Sequence, residues 1–348
     1  MPTIMPDDLE NIARVLLVGA GASEQEAEIV ARHSIKSNLA GHDSHGIIQI
    51  PTYIDRVKRG HIVPGAEYDV VKDTPTTTVV DGHWGFGYVV TERTMKTTIE
   101  KAKSSNVAAA TVYRQSHIGR LGSYSTMAAN EDMIGWITAD SGRSAKAVVP
   151  FGGKVKRLGT NPISIAMPSD LEGPFFIDMA TSAVAAGKIN LAKARGTGIP
   201  HGWIVDGDGN PSNNPDDLDV GGAILPLGAD QGHKGYGLSS IVEIFSGILT
   251  GLGFGHDPSG RHNDGSFMAV FNVAAFRELS DFKKEVKELA LYLKNSETAP
   301  GFDEILYPGE IEHRNELKQR DSGIFVEDST FESLEKLAGE FGVADLLF

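Results

Sequence analysis

The sequence predicts a mixed α/β fold in which helical segments from the two ends of the chain flank a central sheet. Three observations carry this reading. Apolar residues recur at helical spacing before residue 64, short β-rich runs alternate with glycine-rich turns over 65–279, and a charged helical texture returns from Ser280. The terminal segments, 1–64 and 280–348, are therefore expected to pack together as one helical domain, with 65–279 as the sheet-bearing domain. The 348 residues, 41% hydrophobic and 22% charged, are enough for one large core or two modest ones.

The first element contains a trap. Residues 15–23, VLLVGAGAS, look like a strand followed by the glycine turn of a dinucleotide-binding Rossmann unit. Yet Leu9, Ile12, Ala13, Leu16 and Leu17 follow the helix period, and Asp7 with Glu10 three residues later reads as a helix start. Gly19 and Gly21 then end the helix. Ser23 and Glu26 form a second start signal, after which Ala27, Val30, Ala31, Ser34 and Ile35 mark one face of another helix. The third glycine of the Rossmann fingerprint is missing, so the segment is predicted to be a helical hairpin.

Strands are predicted at 77–80, 108–113, 134–138, 163–167, 175–178 and 267–273, with helices at 91–103 and 125–131. A long helix follows His233. Its residues Leu238, Ile241, Val242, Phe245, Ile248 and Leu249, widened by Ile244, form an apolar stripe, and the helix is expected to be largely buried. From Ser280 the chain turns helical, passes an irregular Pro308-Gly309-Glu310 stretch, and closes with a helix from about Thr330. There are no repeats and no low-complexity linker.

Composition narrows the function. A net charge of −14, from 32 Lys+Arg against 46 Asp+Glu, argues against a nucleic-acid partner and against an anionic membrane surface, because both need a basic field. With no cysteine there is no disulfide framework, thiolate nucleophile or Cys-ligated metal. No apolar run approaches the roughly 20 residues of a spanning helix, and residues 1–10 lack a secretory pattern, so the cytoplasm is the expected location.

Polar residues crowd with glycine in five places: 41–46 (GHDSHG), 116–122 (SHIGRLG), 159–162 (GTNP), 178–182 (DMATS) and 233–235 (HKG). His45 and His117 each follow a serine and precede a glycine within two residues, a setting that could expose an imidazole suited to proton transfer near neutrality. A metal-dependent hydrolase built on the His42, Asp43 and His45 cluster is the rival, but the spacing is not that of a helical metal site, and no metal is expected. The second His/Asp-rich stretch, 255–264, reads as a solvated turn. Residues 206–210 start like a calcium loop, yet the position that requires glutamate holds Asp217.

Taken in order, these segments resemble the malate/L-lactate dehydrogenase family over nearly the whole chain. The resemblance rests on Ser44-His45-Gly46, Gly159-Thr160-Asn161-Pro162, Asp178-Met179-Ala180-Thr181-Ser182 and Pro226-Leu227-Gly228. Within the family, GHDSHGI with IPTY, SHIGRLG, DMATSAVAAGK and HKGYGLSSIVEI are most similar to a hydroxycarboxylate dehydrogenase branch. The resemblance implies an α/β fold of its own, non-Rossmann, with a largely antiparallel central sheet. It also implies a homodimer with the active site near the interface, and NAD or NADP as cofactor. By position, Asp178, Met179, Ala180, Thr181 and Ser182 would line the dinucleotide. His233, Lys234 and Gly235 would meet it from the start of the long helix, and Pro308, Gly309 and Glu310 would close over it. Ser141, Gly159, Thr160, Asn161 and Pro162 are further candidates at strand ends. Lysine beside glycine at a helix N-terminus agrees with this, since it offers charge and free N–H groups to a pyrophosphate.

The implied reaction interconverts a 2-hydroxy acid and a 2-oxo acid. His45 and His117 would both stand in the site with Ser44, one exchanging the proton and the other orienting the carbonyl oxygen, with His45 favoured as donor. One departure stands out. Many relatives carry an arginine where this chain has Gln49, so another group must hold the substrate carboxylate, and Arg120 is the expected replacement. Gln49 and the loop 255–265 are the expected determinants of the substrate side chain. A noncatalytic dinucleotide-binding protein is the second rival.

Overall fold

The computed structural model describes residues 2–140, 146–257 and 259–347. The chain starts with β1 (Thr3–Ile4), α1 (Pro6–Gly19), α2 (Glu24–Leu39) and α3 (Ile50–Lys58). It continues through β2 (Asp69–Asp73), β3 (Thr77–Gly85), α4 (Gly87–Ser105), β4 (Val107–Gln115), α5 (Gly122–Ala129), β5 (Met133–Ala139), β6 (Ile163–Met167) and β7 (Phe175–Met179). A small-sheet segment follows: α6 (Ala186–Ala194), β8 (Ile204–Val205), β9 (Pro211–Ser212) and β10 (Ala223–Ile224). The remainder is α7 (His233–Glu243), β11 (Ser266–Asn272), α8 (Leu279–Lys294), α9 (Glu310–Ser322), β12 (Ile324–Phe325) and α10 (Asp328–Phe341).

At the N-terminus, Ser23 and Glu26 form the expected reciprocal cap on α2. The start of α1 differs from expectation: Met5 precedes the first turn, no side chain caps it, and Pro6 opens the helix, whose fixed φ suits that position. Asp7 therefore lies inside the first turn, where its charge favours the helix dipole. Gly19 ends α1 as expected.

The ends of the chain meet. β1 pairs antiparallel with β12, Thr3 opposite Phe325, and α10 packs on α1 while α9 packs on α2. One hydrophobic core runs from Leu9, Leu16 and Val30 through Met95 and Ile99 to Val112, Ile137 and Met268. It therefore joins the terminal helices to the sheet through α4.

The main sheet has seven strands in the order β2-β3-β4-β11-β5-β6-β7. Every pair is antiparallel except β3 and β4, which are parallel and joined by the α4 crossover. Late in sequence, β11 is central in space, lying between β4 and β5. A second, three-stranded sheet of β10, β8 and β9 has its own small core of Val148, Leu158, Ile189, Ile199 and Ile204. No helix among the described residues is long and apolar enough to cross a membrane.

The helix after His233 corrects the sequence reading. Ile241, Ile244, Ile248 and Leu249 are 47, 47, 51 and 55% exposed, whereas Val242, Glu243, Ser246 and Gly247 face inward. The cause is close packing. Ser246 Oγ bonds Thr138 Oγ1 at 2.8 Å, and Glu243 accepts from Asn161 Nδ2 at 2.8 Å, so small and hydrogen-bonded residues occupy the face toward the sheet. Phe245 also packs inward, stacking on Phe267 at 4.6 Å and meeting Trp136 edge-on. The wide apolar stripe is thus turned outward, and the helix continues as a π-helical turn at Ile244–Ile248.

Candidate active site

His45 sits on the turn Asp43–His45 that follows α2, and local chemistry fixes the turn. Asn38, near the end of α2, donates Nδ2–H to Asp43 Oδ1 at 2.7 Å and accepts the Ile47 N–H at 2.8 Å. Any side chain at position 46 would strike the Asn38 carboxamide, which is why Gly46 follows the histidine. Ser44 Oγ lies 3.0 Å from His45 Nδ1, and Gln49 donates Nε2–H to the Ser44 carbonyl at 2.8 Å. Gln49 thereby braces the turn that carries Ser44 and His45.

His117 comes from the loop after β4. Its ring stacks on His45 with centroids 5.6 Å apart and planes 23° from parallel. Tyr53, from α3, places its hydroxyl 2.7 Å from His117 Nδ1 and 3.2 Å from the Tyr88 hydroxyl of α4, and Tyr88 donates to the His45 carbonyl at 3.3 Å. His262 meets His117 edge-on at 5.4 Å. Its Nε2 lies 2.7 Å from Asp264 Oδ1, and Asp264 Oδ2 accepts the Ile118 N–H at 3.0 Å.

Burial dominates the electrostatics. It pushes His117 down to about 3, with the Asp264 carboxylate opposing, and it lowers His45, with Asp178 opposing. Both rings are therefore neutral near pH 7. Asp264 is held below the ordinary carboxylate range: burial raises it, but His262, His117 and the Ile118 N–H outweigh that effect. Asp140 goes the other way, up to about 8, through burial and the nearby Asp264 and Glu243 carboxylates.

Arg120 lies beside this pair. Its Nε is 3.6 Å from Asp178 Oδ2, its guanidinium is 5.1 Å from the Phe176 ring centroid, and Asp178 Oδ2 also accepts the Gly122 N–H at 2.6 Å. Arg120 borders a cleft of about 370 Å³ between α2, α5, the β6–β7 hairpin and α9, lined also by Lys36, Ser123, Pro174, Glu312 and His313. Arg120 Nε and Ser123 Oγ are buried there and make no hydrogen bond among the described residues. His42 pairs with Glu312, its Nε2 3.5 Å from Oε1. Among the described residues no three metal-ligating side chains converge.

The remaining candidates form two groups joined by β7. In the first, Thr181 Oγ1 bonds the Thr160 and Asn161 carbonyls at 3.1 and 3.0 Å, and Leu227 N–H donates to the Thr181 carbonyl at 3.0 Å. Ser182 forms a bridge with Pro226, and Asn161 also bonds the Ser239 carbonyl of α7 at 3.1 Å. Gly235 is pressed against the Leu227 backbone with no room for a Cβ. Gly159, Thr160, Asn161, Pro162, Ala180, Thr181 and Ser182 are thus knitted to the start of α7, where His233 and Lys234 remain exposed. In the second group Asp178 and Met179 end β7, and Pro308 accepts the Phe176 N–H at 3.1 Å, which sets Gly309 and Glu310 against Phe176. The Glu310 carboxylate is engaged by Lys294 at 2.5 Å and Arg314 at 2.7 Å. Ser141 lies outside the described residues.

Tyr53, Tyr88, Arg56, His262 and Asp264 were not singled out as site residues by the sequence. Arg56, one turn beyond Tyr53 on α3, has a buried Nη1 with no hydrogen-bond partner among the described residues. The signal for Asp264 lay in pairing: β11 runs beside β4 with Ser266 opposite Val112, and Asp264 N–H donates to the Gln115 carbonyl at 3.1 Å. That register delivers 262–264 to His117.

Known proteins are similar to this chain over nearly its whole length. The malate/L-lactate dehydrogenase family model matches residues 4–335. The chain is 39% identical over 345 residues to the L-sulfolactate dehydrogenase of Methanocaldococcus jannaschii, covering 98% of this chain and 97% of the relative. It is 31% identical over 334 residues to hydroxycarboxylate dehydrogenase B of Escherichia coli O157:H7, covering 93% and 90%. The solved malate dehydrogenase of Entamoeba histolytica is similar with a TM-score of 0.93 at 34% identity, covering 98% of both chains.

Proposed function

Because the chain belongs to the malate/L-lactate dehydrogenase family, we propose that it interconverts a 2-hydroxy acid and a 2-oxo acid with NAD or NADP as its hydride partner. The observation that carries this is the pair of neutral, stacked imidazoles, His45 and His117, with the Asp178 and Arg120 charges close enough to act on His45. The residues present suit a dinucleotide at the start of α7, where no side chain caps the helix and Lys234 is exposed beside Gly235, so positive charge and open N–H groups face an anion. Asp178, Met179, Ala180, Thr181 and Ser182 would hold it along the end of β7. His233, Lys234 and Gly235 would hold it at the start of α7, with Gly159, Thr160, Asn161 and Pro162 supporting that corner, and Pro308, Gly309 and Glu310 would flank Phe176. This reading places the site on antiparallel strand ends rather than on a Rossmann unit. The bound nicotinamide supplies or takes the hydride at the substrate's C2.

The chain's own groups handle the oxygen. In the oxidative direction one imidazole accepts the hydroxyl proton as the C2–H bond breaks, and in reduction it returns that proton as the carbonyl oxygen gains charge. The other imidazole orients the same oxygen. Ser44 holds His45 through Nδ1, and Gln49 steadies that turn without contributing charge. Arg120, incompletely matched by Asp178 at 3.6 Å, is the group for the substrate carboxylate. Arg56 offers a second cation on the His117 side, which favours substrates with a second acidic group.

The outward stripe of Ile241, Ile244, Ile248 and Leu249 supports a homodimer, since this α7 also carries His233, Lys234 and Gly235. The terminal segments 1–64 and 280–348 would then act as the helical unit that supplies His45 and Tyr53 to the sheet-borne site.

The test is the absorbance loss of NADH and of NADPH with a panel of 2-oxo acids, including pyruvate, 2-oxoglutarate, oxaloacetate and the 2-oxo acid of sulfolactate. Turnover with one of them, strongest for the dianionic members, is expected. Tight cofactor binding with no turnover across the panel would replace this reading by a noncatalytic dinucleotide-binding one.

A further inference from the structure

We infer that Tyr53 and Tyr88 are positioning residues that dictate which nitrogen of His117 carries its proton, leaving Nε2 as a bare acceptor facing the substrate. This rests on the proposed reaction and deepens it by assigning the proton exchange to His117 rather than His45.

A carbonyl oxygen can only accept, so in the 3.3 Å contact between the Tyr88 hydroxyl and the His45 carbonyl the proton comes from Tyr88. Ser34, the other hydroxyl bonded to Tyr88, already gives its proton to the Val30 carbonyl at 2.8 Å and can only accept from Tyr88, so whether the His45 carbonyl or Ser34 takes the Tyr88 proton, the Tyr88 oxygen is left as the acceptor in its 3.2 Å contact with Tyr53, and Tyr53 donates to Tyr88. The Tyr53 oxygen in turn is left as the acceptor at 2.7 Å from His117, and the donor must be His117 Nδ1–H. A neutral imidazole carries one proton. With that proton on Nδ1, Nε2 presents its lone pair, and no described residue hydrogen-bonds it. Both tyrosines are buried, and burial raises Tyr88 to about 12 and Tyr53 well above its ordinary value, so the hydroxyls of the chain keep their protons at any working pH.

The consequence for the reaction balances. In oxidation Nε2 would take the hydroxyl proton as the C2–H bond breaks, with the hydride chemistry supplied by the nicotinamide when bound. The resulting imidazolium keeps Nδ1–H on Tyr53, so no group must reorient. His45, which can accept from the Ser44 hydroxyl at Nδ1, is left with Nε2–H to donate to the same substrate oxygen. The two rings then differ in role because their Nδ1 partners differ: a hydroxyl whose proton is committed elsewhere for His117, and a free serine hydroxyl for His45.

The experiment is a two-bond nitrogen–proton correlation spectrum of the full-length protein with its 11 histidines labelled with nitrogen-15, the His117 signals being assigned with a His117→Gln variant. The wild type is expected to show His117 protonated on Nδ1. In Tyr88→Phe the Tyr53 hydroxyl loses its acceptor and turns to Nδ1, so the proton should move to Nε2, although Tyr88 makes no hydrogen bond to His117. In Tyr53→Phe the preference should vanish. Each variant should lower kcat for oxidation by roughly 10- to 100-fold with the cofactor KM unchanged. A wild-type Nε2–H form, or a folded Tyr88→Phe protein with the tautomer unmoved, overturns the assignment. The tautomer is read without turnover, so failure here is distinguishable from failure of the dehydrogenase reading.

Discussion

At the scale of single residues, burial of two imidazoles sets the pH behaviour. His117 is depressed to about 3 and His45 is lowered as well, so both are neutral in the working range, and His117 loses its capacity to accept a proton only as pH falls through its lowered value. The acid limb of kcat/KM for 2-hydroxy acid oxidation should therefore lie below pH 6.5, with a flat region from pH 6.5 to 8. A limb centred above pH 7 would mean that an unburied group controls the proton. Arginine makes the second residue-scale prediction. Arg120→Ala should raise the KM for any 2-oxo acid at least tenfold, because an oriented fork to a carboxylate is worth about 1.5–3 kcal/mol. Arg56→Ala should do so only for substrates with a second acidic group. Steady-state kinetics with pyruvate against oxaloacetate separates the two, and equal effects on both substrates would remove the division of labour.

At the scale of elements, the start of α7 depends on one close approach. Gly235 has no room for a Cβ against the Leu227 carbonyl, so Gly235→Ala must push α7 from the Pro226-Leu227-Gly228 turn. The expected cost is about 1–3 kcal/mol of stability together with a cofactor Kd raised at least tenfold, measured by thermal melts and by NADH fluorescence. An unchanged Kd would detach α7 from the cofactor. This element also shows how far sequence pattern reaches. The capping box at Ser23 and Glu26 and six of the seven strands of the main sheet, all but the exposed edge strand β2, were legible because caps and strand runs are local chemistry. The stripe on α7 was legible as a stripe but not as an outward one, since periodicity says that an apolar face exists and not what covers it. α3 went unread because, although Ile50, Tyr53 and Ile54 share one buried face, nine residues make only about two and a half turns, and Tyr53 and Arg56 went with it. His45, His117 and Arg120 were visible as glycine-flanked polar residues. His262 and Asp264 enter the site only through the β4–β11 register, which no local rule encodes.

At the scale of the whole molecule, the outward face of α7 calls for a partner. Ile241, Ile244, Ile248 and Leu249 present a continuous apolar stripe, and Phe254, just beyond, is 73% exposed, on a chain of net charge −14 that has ample charge to cover itself elsewhere. Burying such a stripe against its own copy uses the commonest oligomer symmetry, with the same patch on both subunits. Because the stripe and the His233-Lys234-Gly235 turn share one helix, pairing would brace the cofactor end of the site. The double variant Ile244→Asp, Leu249→Asp leaves the inward residues Val242, Glu243 and Ser246 untouched, so the protomer should still fold. Sedimentation should give the mass of two chains for the wild type and one for the variant, and kcat/KM should fall at least tenfold in the monomer, a loss of about 1.4 kcal/mol in transition-state stabilisation. A wild type that sediments as a single chain would leave the stripe without its second copy. A variant that is monomeric yet fully active would confine the interface to assembly and free α7 from any share in the chemistry.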